Sequence, residues 1–287
     1  MLHYIVQLLI YGIVLGSIFS LGAIGVSMVY TVLGFANFAH GDMMTIGAYF
    51  GYFAIVTLGL PLPLGFLAAI VGTAALAVAV DRIIYRNLRS ATPTIMLIST
   101  IGVSFMLQAV AEVVWGPDNK VYQSGIVLPY KFFGYRIEPI EVTIIAGSVI
   151  LVILLHLFLH RTKIGKAMRA MSDNMNLARV TGINTELVII WTWIIVGILA
   201  GTAGFFLAAD TQLNPRVGFH VLLEVFAAAI LGGIGNLYGS IIGGLIIGVV
   251  SQLSTIVINP GYEPAVGFVI MVVMLIVRPY GILGGKR

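Results

Sequence analysis

The chain has no cysteine among its 287 residues, and only 9% of its residues are charged. The absence of cysteine excludes disulfides and thiolate metal sites. With 60% hydrophobic residues and a mean hydropathy of +1.07, the chain has too little polar surface to cover a soluble globule. It also lacks the Gly-x-x-x-x-Gly-Lys-Ser/Thr pattern, so no phosphate-binding loop is expected. Composition therefore favours an integral membrane protein.

Apolar runs follow one another along the whole chain, and about 20 apolar residues are needed to cross a bilayer core roughly 30 Å thick. The sequence therefore predicts an all-α, polytopic membrane protein with about eight or nine transmembrane or re-entrant helices in a single domain, residues 1–287. The run that starts at Tyr4 is too long for a signal-peptide core and is interpreted as a retained first helix. The runs cover approximately 5–30, 43–58, 62–80, 93–115, 142–160, 187–209, 221–234, 237–258 and 265–277.

Basic residues are concentrated in three of the regions that separate these runs, which predicts the orientation of the chain because cytoplasmic loops carry the excess of Lys and Arg. Orientation also explains the net charge of +4 without nucleic-acid binding. Lys120, Lys131, Arg136 and Arg216 share their loops with acidic residues and are expected to face outward. The residues predicted to be cytoplasmic are Arg82, Arg86, Arg89, Arg161, Lys163, Lys166, Arg169, Arg179, Arg278, Lys286 and Arg287, which places the C-terminus in the cytoplasm.

The segment 161–185 combines basic and apolar residues at helical spacing between two long apolar runs. Lys163, Lys166 and Arg169 fall on one side of a helix, and an apolar stripe falls on another. The segment is predicted to be an amphipathic helix outside the bilayer, which either binds a partner or rests in the lipid interface. The apolar stripe consists of Ile164, Ala167, Met168, Met171, Met175 and Ala178.

Two apolar runs are interrupted by small or hydrogen-bonding residues, at Gly34 to Asp42 and at Gly232 to Gly239. Transporters build substrate sites from such broken helices, often at matching positions of two structural repeats. The alternative is that both breaks are tight turns at the membrane surface. In the first interpretation Asn37, His40 and Asp42 line a transport path.

Other ionisable residues in or near the apolar runs have simpler interpretations. Glu112 and Glu224 lie near helix ends, where a carboxylate can reach the interface, rather than forming a proton relay. His156 and His160 are four residues apart, but the glutamate of an H-E-x-x-H motif is missing, so no metal site is expected.

Five motifs occur in a characteristic order over nearly the whole chain. They are Asn37-Phe38-Ala39-His40-Gly41-Asp42; the segment from Arg161 to Asn184, with its final Thr-Gly-Ile-Asn; Asn214-Pro215 followed by Gly218-Phe219; Ala228-Ala229-Ile230-Leu231-Gly232-Gly233-Ile234-Gly235 with Gly239 and Gly243-Gly244; and Pro279-Tyr280-Gly281-Ile282-Leu283-Gly284. The combination resembles the membrane-spanning permease subunits of bacterial ABC importers for branched-chain, hydrophobic amino acids. Asp42 stands where members often have Glu, and Glu224 stands where a neutral or basic residue is expected.

The resemblance implies a complex in the bacterial inner membrane in which this subunit pairs with a second, homologous permease subunit. Two cytoplasmic ATP-binding subunits, which hold ATP and magnesium, and a periplasmic amino-acid-binding protein would complete it. This chain would have no cofactor and no enzymatic activity of its own. The segment 161–185 would be the coupling helix that contacts an ATP-binding subunit, through Ile164, Met168, Arg169, Met171, Asp173, Met175, Gly182 and Asn184.

The function implied by the resemblance is the translocation of leucine, isoleucine and valine by alternating access, driven by ATP hydrolysis in the partners. An ion-coupled secondary transporter is an alternative, which the shortage of ionisable residues within the spans disfavours. A permease for urea, amides or other amino acids is another, and a membrane enzyme that uses the two histidines is a third. The substrate-path candidates are Asn37, His40, Asp42, Gln212, Asn214, Gly232 and Gly235.

Overall fold

The computed structural model describes residues 2–89, 91–122, 129–132, 134–278 and 280–284. Within these ranges the molecule is a helical bundle that contains six helices long and apolar enough to cross a membrane. These helices are α1 (Leu2–Leu33), α3 (Leu62–Val80, with the apolar span continuing to Leu88), α5 (Pro93–Trp115), α6 (Pro139–Arg161), α9 (Thr185–Asp210) and α12 (Leu237–Ser254). The prediction of an all-α, polytopic membrane protein is therefore confirmed.

Shorter elements complete the bundle and include one pair of strands that the sequence did not predict. The strands β1 (Tyr130–Phe132) and β2 (Tyr135–Ile137) form an antiparallel hairpin in which Tyr130 lies opposite Ile137. The shorter helices are α2 (His40–Tyr52), α4 (Arg86–Leu88), α7 (Lys163–Asp173), α8 (Met175–Val180), α10 (Val217–His220), α11 (Leu222–Gly232) and α13 (Glu263–Val277), with π-helical turns at Phe53–Thr57 and Asp81–Tyr85 and a 3-10 turn at Pro260–Tyr262.

Several helices begin at residues that satisfy the free N–H groups of a first turn. Asn174, Asn184 and Asn236 each cap the following helix, because the side-chain oxygen accepts a hydrogen bond from a backbone N–H three residues later. Helix α6 begins with a capping box in which the Glu141 side chain accepts from the backbone N–H of Glu138 at 2.8 Å. These local signals explain why most boundaries follow the sequence pattern.

Helix α2 lies in the centre of the bundle, and 11 of its 13 residues are buried. It packs against α3 and α9, while α1 packs along α12. Glycines allow these close approaches: a Cβ atom on Gly47 would lie 2.8 Å from the Cα of Gly201, and one on Gly16 would lie 2.9 Å from the Cα of Leu245. The absence of side chains lets helix backbones pack directly where water provides no driving force for association.

The described basic residues of the three predicted cytoplasmic regions come together at one end of the bundle, which we call the basic end. Arg89 forms an ion pair with Glu186, at the start of α9, over 2.7 Å. The chain after α13 folds back on the same end, where the backbone N–H of Leu283 donates to Gly232 at 3.1 Å. Lys286 and Arg287, and Pro279 of the last motif, lie outside the described residues.

Candidate functional site

Helix α7 lies at the basic end and is capped by Thr162, whose Oγ1 accepts a hydrogen bond from the Gly165 N–H at 2.9 Å. Its apolar side packs on α1, α6 and α9 of the same chain. Met168 and Met171 are each only 2% exposed. The prediction that these two methionines belong to an exposed docking stripe is therefore wrong, because the chain itself buries the apolar face of the amphipathic helix.

The surface that this segment presents to its surroundings consists of other residues. Arg169 and Asp173 are exposed on α7, whereas Ile164 and Met175 are half-buried. On the following helix, α8, Leu177 is 62% exposed and Val180 is 85% exposed. The other exposed residues of this segment are polar or small, so these two large apolar side chains stand out on its surface.

The end of this segment has a well-defined connection to the next transmembrane helix. Gly182 adopts a φ of +84°, a left-handed conformation that glycine accommodates without strain, directly after α8. Asn184 then caps α9, its Oδ1 accepting from the Leu187 N–H at 3.1 Å. The coupling roles predicted for Gly182 and Asn184 remain predictions, but both residues determine the geometry of the turn into α9.

A network of charges ties this turn to the connection between α3 and α5. The Arg89 guanidinium donates to both carboxylate oxygens of Asp81, at 2.6 and 2.8 Å, and to Glu186 at 2.7 Å. Asp81 is 1% exposed, so its charge depends on this arginine. Arg82 and Arg86 lie farther from Glu186, at 3.5 and 3.7 Å. The network makes the end of the amphipathic segment part of one rigid assembly.

The first predicted break, between α1 and α2, begins at the exposed Gly34, which lines a pocket with Arg89 and Glu186, and then runs into the protein. Asn37 is fully buried, and its Oδ1 accepts from the Ala39 N–H at 3.1 Å and from the Tyr85 hydroxyl at 3.3 Å. The Asp42 carboxylate accepts a hydrogen bond from Ser104, which lies at the middle of the 23-residue helix α5. The part of this break from Asn37 to Asp42 is therefore not a turn at the membrane surface.

His40 and Asp42 are as deeply buried as Asn37, with exposed fractions of 0% and 1%. Neither ring nitrogen of His40 has a hydrogen bond of good geometry, and the Oδ1 atom of Asp42 has none either. None of the three is among the residues that line the 570 Å³ cavity described below. In this conformation the three residues belong to the core, and their role in transport remains a prediction.

The segment that meets this break in space is residues 211–221, not the predicted second break. The Gly218 N–H donates to the Thr45 hydroxyl at 2.9 Å, and the backbones of Gly41 and Gly218 are in direct contact. The ring of Phe38 stacks on that of Phe226 with centroids 5.0 Å apart. The first turns of the short helices α2 and α11 thus lie side by side near the middle of the bundle, an arrangement typical of transporters.

The Gly232 to Gly239 break is instead a tight turn at the basic end. The Asn236 N–H donates to the Gly233 carbonyl at 3.1 Å, and the Gly235 N–H donates to the Ser27 hydroxyl at 2.7 Å. The sequence pattern predicted that residues 210–220 form an outward-facing loop, because Arg216 shares that loop with Asp210. The small residue Gly218 was the available signal for a close approach of two backbones.

The remaining path candidates make other contacts. Gln212 accepts a hydrogen bond from Asn119 at 2.9 Å, and Asn214 accepts from the Arg216 N–H at 3.0 Å, both at the end opposite α7. Gly232 and Gly235 lie at the basic end. The seven candidates are therefore distributed over three places and do not form one site.

A cavity of about 570 Å³ opens at the end opposite α7, which we call the acidic end. Its described lining contains five carboxylates and a histidine: Glu138, Glu141, Asp210, Glu224, Glu263 and His220. Each carboxylate lies at or near the end of a helix, and together they represent α6, α9, α11 and α13. Sequence reasoning missed this cavity because the five residues are scattered over 126 positions of the chain.

The cavity follows α1 inward, because Tyr11 and Phe19 both line it and are separated by about 12 Å of helix at 1.5 Å per residue. Glu224 lies at its inner part: the neighbouring residue, Val225, packs beside Gly22, beyond Phe19 along α1. Glu224 is 4% exposed, whereas Glu138 and Asp210 are exposed. The cavity therefore leads from exposed carboxylates to a buried one.

His156 and His160, the two histidines considered above as metal ligands, lie next to each other and to Tyr238. The Tyr238 hydroxyl lies 2.8 Å from Nδ1 of His156, and the rings of His156 and His160 lie 4.2 Å apart. Within the described ranges, no group of three or more His, Cys, Asp or Glu side chains has a geometry suited to a metal ion.

Comparisons with known proteins identify the relatives of this chain. Residues 8–277 match the family described as branched-chain amino acid transport system / permease component. The chain is 34% identical over 295 residues to the high-affinity branched-chain amino acid transport system permease protein LivH of Salmonella typhimurium, covering 98% of this chain and 96% of that protein. It is 35% identical over 298 residues, with the same coverage, to the corresponding permease protein BraD of Pseudomonas aeruginosa.

A solved structure supports the fold independently of close sequence similarity. PsaBC from Streptococcus pneumoniae, in complex with Fab, aligns with a TM-score of 0.53 at 16% identity, covering 96% of this chain and 91% of that one. At this identity the likeness concerns the fold alone. The family match over 270 of 287 residues and the relatives above 30% identity establish the conclusion that the chain belongs to the permease component family of branched-chain amino acid transport systems.

Proposed function

We propose that this chain is a membrane-spanning subunit of an ATP-driven importer for leucine, isoleucine and valine in the bacterial inner membrane. It pairs with a second, homologous permease subunit, two cytoplasmic ATP-binding subunits and a periplasmic amino-acid-binding protein. The observation that carries this proposal is the amphipathic segment of α7 and α8, which joins α6 to α9 at the basic end. The names of the relatives supply the substrate class.

The orientation follows from the distribution of charge. The basic end faces the cytoplasm, because the three clusters of Lys and Arg meet there, and the acidic end faces the periplasm. The short helices α2, α11 and α13 then count as re-entrant or crossing elements beside the six long spans, for nine in all within the described ranges. The N-terminus lies outside and the C-terminus inside.

The coupling surface consists of the exposed residues of the segment rather than its buried methionines. Leu177 and Val180 are the apolar contacts offered to an ATP-binding subunit, and Arg169 and Asp173 are polar contacts beside them. Movement of this surface reaches the spans in two ways. Met168 and Met171 pack against the bundle, and the Arg89 network holds the start of α9.

The test is ATP-dependent leucine uptake into proteoliposomes that contain the assembled complex. Leu177→Asp combined with Val180→Asp should reduce uptake at least ten-fold, because two desolvated apolar contacts become charged at the interface. Val121→Asp is the matched control, since Val121 is also exposed (46%) but lies in the opposite loop. Uptake by the double variant equal to that of the control would contradict the assigned coupling surface.

The same vesicles test the transport mechanism and the substrate range. Uptake is expected to require ATP on the side of the membrane that the basic end faces. It is also expected to require the binding protein on the side that the acidic end faces. Vigorous uptake by this chain alone, driven by a sodium or proton gradient, would contradict the proposal and favour an ion-coupled transporter. Competition by unlabelled isoleucine and valine, but not by urea or acetamide, should define the substrate class.

A further inference from the structure

The acidic cavity has an unbalanced charge. No lysine or arginine is among the described residues that line it, and His220 is its one basic side chain there. The nearby cation Arg216 is engaged elsewhere, since it pairs with Glu112 at 3.0 Å. A group of carboxylates without counter-charges raises the local concentration of cations. The cavity is thus suited to a positively charged group that comes from outside this chain.

Three of the five carboxylates have structural roles that account for them. Glu138 and Glu141 form the capping box of α6, and Glu263 lies in the first turn of α13 and accepts from Gln252 at 3.0 Å. Acidic residues in the first turn of a helix stabilise it by interacting with the helix dipole. These three residues would be expected here even without a ligand.

Glu224 and Asp210 have no comparable structural role. Glu224 lines the cavity but is 96% buried, and its Oε2 atom, which has almost no accessible surface, has no hydrogen-bond partner. Asp210 is the last residue of α9, the end at which the helix dipole disfavours a negative charge, and no ion pair involves it among the described residues. An unpaired buried carboxylate costs stability, so its presence in an open cavity points to a ligand.

We propose that this cavity receives the α-ammonium group of the transported amino acid, and that Glu224 binds that group at the inner part of the cavity. This proposal rests on the importer function proposed above and specifies how its substrate is held. The volume of about 570 Å³ lies in the range of roughly 300–1,000 Å³ that is typical of ligand sites. Val14, Leu15 and Phe19 supply an apolar wall for an aliphatic side chain.

The depth of Glu224 favours a small molecule over a basic side chain of the binding protein. The exposed carboxylates Glu138 and Asp210 are accessible to a docked protein, but Glu224 is only 4% exposed. A free amino acid can carry its ammonium group to that depth. The cavity then favours zwitterionic or cationic substrates and disfavours those without an ammonium group.

The first experiment measures binding directly on the assembled complex in lipid nanodiscs, without nucleotide. Dicyclohexylcarbodiimide modifies Glu224, and mass spectrometry measures the rate. Leucine and 3-methylbutylamine, which carries the ammonium group but no carboxylate, should each slow the modification at least about three-fold. The isosteric acid 4-methylpentanoate, which lacks the ammonium group, should not. Equal protection by the acid, or no protection by the amine, would overturn the proposal.

The second experiment measures ATP-driven leucine uptake by the reconstituted complex. Glu224→Gln should lower the initial rate at least ten-fold, and Glu224→Asp, which retains the charge, should recover part of it. Asp118→Asn is the control, because it makes the same carboxylate-to-amide change at an exposed position of the outer loop, outside the cavity. Normal uptake by Glu224→Gln would overturn the site while leaving the importer function intact. Absence of ATP-driven uptake by the wild-type complex would overturn the importer function itself.

A third measurement separates substrate binding from docking of the binding protein. The affinity of the binding protein for the complex should be unchanged in Glu224→Gln. Weakened docking, together with normal uptake at saturating binding protein, would show that the carboxylates hold the partner protein and would overturn the proposal.

Discussion

The two ends of this molecule use charge in opposite ways. At the basic end, Arg89 holds two carboxylates at 2.6 to 2.8 Å, and further arginines surround Glu186. At the acidic end, the cavity contains five carboxylates and no Lys or Arg among its described lining residues. At the basic end, the ion pairs of Arg89 with Asp81 and Glu186 hold the start of α9 against the end of α3, and we call this group of residues the joint. At the acidic end, the unpaired carboxylates attract a cation. This difference is what the proposals above require, with mechanical coupling at the basic end and substrate reception at the acidic end.

The largest effect on stability is expected at the joint. Arg89→Met should lower the free energy of unfolding by about 3 kcal/mol, because it leaves Asp81, with 2% of its side chain exposed, as an uncompensated buried charge. Thermal unfolding in detergent, followed by tryptophan fluorescence, measures this change. Arg86→Met is the control, since its partner lies 3.7 Å away and its side chain is 53% exposed, so a change of less than about 1 kcal/mol is expected.

Combining Arg89→Met with Asp81→Asn should recover much of the lost stability, because the buried charge is removed together with its partner. If the double variant is as unstable as Arg89→Met alone, the joint depends on packing of the arginine rather than on charge.

A change of opposite sign is expected at the acidic end. Glu224→Gln should raise the free energy of unfolding by about 1 kcal/mol, because it removes a buried carboxylate whose Oε2 has no partner. The midpoint of thermal unfolding should rise by roughly 2–4 °C for a chain of this size. A fall in stability would mean that Glu224 supports the fold, and the contrast between the two ends would then not hold at this residue.

The smallest effect is expected where the outer loop is held by a neutral hydrogen bond. The Tyr122 hydroxyl donates to the Ala48 carbonyl at 2.9 Å, and burial raises the pKa of Tyr122 well above its ordinary value, so the group stays neutral. Tyr122→Phe should cost about 0.5–1 kcal/mol, since the carbonyl keeps its place in helix α2. Thermal unfolding beside the wild type measures this. A loss of stability as large as that of Arg89→Met would show that this hydrogen bond supports the fold as strongly as the ion pairs of the basic end do.

Prediction from sequence succeeded where the signal is local. Apolar runs located the six long helices, and the periodicity of the 161–185 segment indicated an amphipathic helix, which the structure shows over Lys163–Asp173 before Asn174 caps a second helix. The same periodicity did not reveal what covers its apolar face. Met168 and Met171 are equally suited to a partner protein and to the chain's own bundle, and packing selected the bundle.

Residue type and spacing alone also did not reveal which segment contacts the first break. The Gly232 to Gly239 cluster has the composition of a broken helix, yet it forms a turn at the basic end. The segment around Gly218, flanked by charged residues, enters the bundle and meets Gly41. Contacts between segments 177 residues apart depend on how long helices pack, which no local pattern specifies.

By itself, then, the amino-acid sequence determined the class of protein, the long spans and the basic end, because hydropathy, helix periodicity and the positions of Lys and Arg are properties of consecutive residues. Only the tertiary structure decided which methionines are buried, which short helices meet and that five carboxylates share one cavity. These features arise from close packing of glycine-lined helices, which brings together residues from distant parts of the chain.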